Sequence, residues 1–120
     1  MEQQVLIIEP SADYYLQLQQ TMNATSPDIH FCQASDAGDA LHLMQEYSPS
    51  ICLIDDIAGR ENDSALLNTL HHDHPGTIVI LLTEGNDLSG CTYNDEKTIH
   101  FRFNKTNDFG SICDTVIKML

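Results

Sequence analysis

Five short apolar runs recur along this chain, and each stretch between them carries the marks of a helix or a turn. The runs are "QVLIIE" (4 to 9), "DIHFCQA" (28 to 34), "SICLI" (50 to 54), "TIVILLT" (77 to 83) and "TIHFRF" (98 to 103). All are rich in β-branched or aromatic residues and too short for buried helices, so they read as strands. Pro10 and Ser11 give a helix-start signal for 10 to 22. Asp36 is a cap for 37 to 47, where Ala40, Leu41, Leu43, Met44 and Tyr47 share one helical face. Residues 63 to 74 carry Ala65, Leu66, Leu67 and Leu70 before Pro75-Gly76 stops them. The segment 84 to 97 has two glycines and little periodicity, so any helix there is short or irregular. The last helix spans 107 to 120, with Phe109, Ile112, Val116, Ile117 and Leu120 at helical spacing.

Strands that are apolar on both faces and alternate with helices require a parallel sheet covered on both sides. The expected architecture is therefore α/β, a doubly wound, five-stranded parallel sheet. At 120 residues the chain is one domain, 1 to 120. Eighteen acidic against five basic residues give a formal charge of -13. That excludes the lysine and arginine surface that neutralises phosphate backbones, so neither nucleic acid nor an anionic membrane is an expected partner. The longest apolar stretches, Val5 to Ile8 and Ile78 to Leu82, fall far short of a membrane span. The start "MEQQ" lacks a positive n-region, so the expected location is the cytoplasm.

In such sheets the functional crevice lies beyond the carboxyl ends of the strands. There the sequence sets Glu9 after the first run, Asp55 and Asp56 after the third, Thr83 at the end of the fourth and Lys105 two residues past the fifth. A carboxylate buried at the tail of an apolar strand is costly unless paired. A Lys105 to Asp55 ion pair relieves that cost.

The runs "LIIEP", "CLIDD", "ILLTE" and "FRFNKT", in this order and at these intervals, resemble the strand ends of response-regulator receiver domains, the CheY-like family, over essentially the whole chain. The resemblance implies a flavodoxin-like (βα)5 fold. It implies that Asp55 accepts a phosphoryl group from a histidine kinase, a phosphotransfer protein or a small phosphodonor, with Lys105 and Thr83 attending the phosphoryl oxygens. Asp55, not Asp56, keeps the family spacing. A receiver is not an enzyme beyond its own phosphorylation and dephosphorylation. The resemblance further implies a Mg²⁺ ion, here with Glu9, Asp55 and the backbone carbonyl of Ile57 as a weak site. It implies docking of kinase partners at the edge of the first helix, and a possible homodimer through the fourth helix, fifth strand and fifth helix. The chain is expected to be the receiver part of a longer regulator.

Four residues depart from the family pattern. Pro10 stands where a second acid normally ligates Mg²⁺, Glu84 where a small residue leaves room for the phosphoryl group, Thr106 where proline is usual, and Arg102 where an aromatic switch residue is usual. They sustain a second reading, a pseudo-receiver in which Lys105 pairs Asp55 permanently and the domain acts as a phosphorylation-independent interaction module.

Other features take structural readings. "HHDH" (71 to 74) reads as a surface helix terminus ahead of a metal site. Cys32, Cys52 and Cys113 sit in apolar company and read as buried free thiols. Tyr14, Tyr15, Leu18 and Met22 read as a core stripe of the first helix. The sequence contains no GxxxxGK[ST] or GxGxxG, so it has no phosphate-cradling loop of a nucleotide-binding enzyme.

Overall fold

The computed structural model describes residues 3–46, 48–55, 63–84 and 99–120, with only the backbone of Asp63 and Ser64. Its elements in chain order are β1 (Gln3–Ile8), α1 (Ala12–Thr25), β2 (Ile29–Ala34), α2 (Ala37–Leu43), β3 (Ile51–Asp55), α3 (Asp63–Asp73), β4 (Ile78–Thr83), β5 (Phe101–Asn104) and α4 (Phe109–Met119). The strands form one sheet in the order β2-β1-β3-β4-β5, and every neighbouring pair is parallel. The expected doubly wound five-stranded α/β sheet is the observed fold. The segment between β4 and β5, where an irregular helix was expected, lies outside the described residues.

Alternation explains why the strands are apolar throughout. Leu6, Ile8, Cys52, Ile54, Val79 and Leu81 face one layer with Ala37, Ala40, Leu66 and Leu70 from α2 and α3. Val5, Ile7, Ile51, Leu53, Ile80 and Leu82 face the other, with Leu18 and Met22 of α1 and Ile112, Cys113 and Val116 of α4. In the central strands β1, β3 and β4 the apolar residues meet a core whichever way they point, whereas the edge strand β2 exposes His30. The pleat also sorts β5. Phe101 and Phe103 pack toward α1 and α4, their rings stacked 6.2 Å apart, while Arg102 is exposed.

Local chemistry sets the boundaries. Ser11 caps α1 by accepting from the Tyr14 amide, and Asp36 caps α2 by accepting from the Asp39 amide. α2 ends at Leu43, four residues before the expected end at Tyr47, which is not described. β5 begins three residues later than the sequence suggests. The His100 amide donates to the Val79 carbonyl, but the Val79 amide donates to the His100 ring Nδ1 at 3.0 Å, so an imidazole occupies the place of a ladder carbonyl. Regular pairing therefore starts at Ile80 with Phe101.

The histidine-rich terminus of α3 is only partly the expected surface feature. His71 and His72 are exposed, but His74 is buried and its Nδ1 meets the Ser48 hydroxyl at 2.6 Å. Burial of the imidazole against the start of β3 overrides the surface reading. Cys52 and Cys113 are buried as expected and Cys32 is half-buried. Burial pushes the Cys52 thiol up to about 12. Among the described residues no helix is long and apolar enough to cross a membrane.

Candidate functional site

The sheet changes direction of winding between β1 and β3, and there the carboxyl ends of the strands leave a crevice. Register brings the acids together across it. Ile8 pairs with Ile54, so the next residues, Glu9 and Asp55, stand side by side on the α1 and α4 face. Asp55 in turn pairs with Leu82 and closes β3 as its last residue, one place further than the sequence run suggested. The Glu9 amide still donates to Ala34, holding the end of β1 in the sheet.

Lys105 arrives from the other side by a tight turn. Its amide donates to the Thr83 carbonyl, which extends the β4–β5 ladder by one rung. Asn104 Oδ1 then accepts from the amides of Thr106 and Asn107 at 2.9 and 2.8 Å, and the Asn104 amide donates to Asp108 Oδ2 at 2.8 Å. This side-chain turn reverses the chain into α4 and aims Lys105 at the crevice. Thr106 contributes an N–H that proline lacks, so the departure from the family pattern at this position is used structurally.

The ammonium closes the arrangement. Lys105 Nζ donates to both oxygens of Glu9, at 2.7 and 2.8 Å, and to Asp55 Oδ2 at 2.6 Å. The three side chains are at most 8% exposed. Glu84 Oε1 lies 3.6 Å away on a well-exposed side chain, a contact that solvent weakens. Tyr14 completes the surround: its ring lies under the ammonium, Nζ 4.4 Å from the centroid, and its hydroxyl donates to the Lys105 carbonyl at 2.8 Å. These groups border a pocket of about 550 Å³, together with Pro10, Ser11 and Thr106.

The charges in this cluster do not balance, and the proton affinities respond. Burial chiefly, and then a shared hydrogen bond with Asp55, lift Glu9 from 4.5 to about 7 against the pull of Lys105. Burial works against the lysine's charge as well. Its hydrogen bonds to Asp55 and Glu9 outweigh that and hold its pKa above the ordinary value.

Glu9, Asp55 and Lys105, anticipated from the strand ends, thus form one cluster. Thr83 is buried beside it, but its hydroxyl donates to the Phe103 carbonyl at 3.4 Å and it does not border the pocket. Ile57 and Asp56 lie outside the described residues. Tyr14 is the residue that sequence reasoning assigned elsewhere. It does pack against the core, yet its first-turn position, five residues after Glu9, was a signal that it also overlooks the strand ends.

Among the described residues the donor set does not fit Mg²⁺ as it stands. That ion asks for near-octahedral oxygens, whereas Lys105 takes both oxygens of Glu9 and one of Asp55, and Pro10 has no side-chain oxygen. Among the described residues no group of three or more His, Cys, Asp or Glu side chains converges on a metal position.

No protein-family model matches the sequence, and none of the curated proteins matches it. In three dimensions the chain is similar to the signal receiver domain of a DNA-binding response regulator from Colwellia psychrerythraea, with a TM-score of 0.81, 19% identity, and 98% of this chain and 97% of that one covered. The fold is that of a response-regulator receiver domain. A CheY-like receiver domain protein from Methanospirillum hungatei gives a TM-score of 0.80 at 15% identity, covering 98% of this chain and 93% of its own. A response regulator from Thermotoga maritima gives 0.79 at 14%, covering 99% and 98%. The receiver fold is thus carried here by a sequence with little identity to these three, and Glu9, Asp55 and Lys105 stand at the strand ends that border its crevice.

Proposed function

We propose that the chain is a two-component receiver module in which Asp55 takes a phosphoryl group from the phosphohistidine of a kinase or phosphotransfer protein, or from a small acyl phosphate. An Asp55 oxygen attacks phosphorus in line and the donor's bond to phosphorus breaks, P–N in a phosphohistidine with its electron pair returning to the imidazole, P–O in an acyl phosphate with its pair leaving on the carboxylate. The product is an aspartyl phosphate. Such a transfer is governed by positioning and by cations that meet charge on the equatorial oxygens. The observation that carries the reading is Lys105 Nζ at 2.6 Å from Asp55 on a pocket open to a donor. During transfer Lys105 leaves Glu9 for the phosphoryl oxygens, and Glu9 accepts a proton more readily as the ammonium departs. Thr83 would turn its hydroxyl from Phe103 toward the phosphoryl group, coupling the site to the edge of β5 and α4. That edge is the proposed surface for output or for a homodimer within a longer regulator.

A pseudo-receiver reading is favoured by one observation, the engagement of both Glu9 oxygens and of Asp55 Oδ2 by Lys105 beside Pro10. Intact-mass measurement after incubation with acetyl phosphate, with Mg²⁺ and with EDTA, separates the two. One added phosphoryl mass in the wild type and none in Asp55→Asn supports transfer. No added mass under either condition supports the interaction module.

A further inference from the structure

Tyr14 meets Lys105 at both ends of the lysine. The hydroxyl donates to the Lys105 carbonyl at 2.8 Å, and the ring face lies 4.4 Å from Nζ. The ring is itself fixed from the side, edge-on to Phe109 with centroids 6.0 Å apart and planes at 81°. Burial first, then the charges of Glu9, Cys113 and Asp55, keep the phenol protonated to well above its ordinary range, so the hydroxyl remains a donor. A buried tyrosine ordinarily finds one partner for its hydroxyl; here the same lysine takes both the hydroxyl and the ring face.

A lysine head rides on a flexible stem with many rotamers, and its value in phosphoryl transfer depends on where the charge stands. We infer that Tyr14 is the positioning residue for Lys105: its hydroxyl fixes the turn from which the lysine springs, and its ring face keeps the ammonium over the Glu9 and Asp55 pair. A ring face attracts a cation without demanding one direction. The ammonium can therefore shift from Glu9 toward a phosphoryl oxygen while the aromatic contact persists. The positional claim stands on the geometry, while its consequence for transfer rests on the receiver reading above.

The test compares Tyr14→Phe, which keeps the ring, with Tyr14→Leu, which removes it, in protein labelled with ¹³C-lysine. The Lys105 ε-methylene protons are expected upfield in the wild type and in Tyr14→Phe, and at ordinary lysine positions in Tyr14→Leu. Phosphorylation by acetyl phosphate is expected to slow about thirtyfold in Tyr14→Leu, the size of a desolvated cation–π contact, and less than threefold in Tyr14→Phe. A Lys105 signal unchanged in Tyr14→Leu, or an unshifted signal in the wild type should that variant not fold, overturns the inference. Absence of phosphorylation in the wild type overturns the receiver reading, and the lysine spectra then still decide the role of Tyr14.

Discussion

Lys105 holds both carboxylate oxygens of Glu9, at 2.7 and 2.8 Å, and so joins the end of β1 to the turn after β5 across the width of the crevice. The cluster is two acids and one base, nearly dry, and its behaviour under substitution and pH follows from that imbalance.

Removing the base takes from the two carboxyl groups the ammonium they share. Lys105→Ala is expected to cost about 3–5 kcal/mol at pH 8, the usual result of stripping one partner from a buried ion pair. The cost should be smaller at pH 5, where Glu9 is protonated. Urea denaturation at the two pH values measures both quantities.

The acid lifted to about 7 gives the wild type a pH dependence of definite sign. Because the folded-state pKa lies above the unfolded one, the folded chain binds the extra proton. Its stabilising effect is complete below about 4.5 and is lost as pH rises through about 7. The full difference corresponds to at most about 3 kcal/mol. Glu9→Gln should lack the rise in urea midpoint that the wild type shows between pH 8 and pH 5.5. An identical pH profile in both proteins would place the effect elsewhere.

Lysine and a divalent cation compete for the same oxygens. Calorimetric titration of the wild type with Mg²⁺ is expected to give weak binding, and Lys105→Ala, with the competing ammonium gone, should bind Mg²⁺ at least about tenfold more tightly. Equal affinity in the two proteins would mean that Lys105 does not occupy the cation position.

The turn that aims Lys105 depends on an amide at position 106. Thr106→Pro removes the donor to Asn104 Oδ1 and should cost about 1 kcal/mol, the net worth of one hydrogen bond. The thermal midpoint reads the loss. A stabilised variant would show that the family's proline fits this turn as well as threonine does.

Much of this site was legible because strand ends are legible. Apolar runs too short for helices locate the carboxyl edge of the sheet to within a residue or two, and charged side chains just past such runs have few other places to go. Glu9, Asp55 and Lys105 were found in that way. Tyr14 was not, because helical periodicity tells which face of α1 is buried but not which end of that face overlooks the crevice. The side chain of His74 was misjudged for a related reason, and the ladder contact of His100 has the same origin. Whether an imidazole on a loop meets Ser48 or the Val79 amide depends on which strand lies alongside.

The sequence by itself determined the α/β alternation, the five strands and the convergence of two acids and one lysine, since all follow from local periodicity and from the cost of burying charge. Only the tertiary structure decided how that lysine is shared. Glu9 and Lys105 are 96 positions apart along the chain, and their contact depends on the register of β1 against β3 and on the turn at Asn104. Pairing across a sheet is a non-local choice. It fixes the geometry of the charges, and with it which proton and which cation the site can hold.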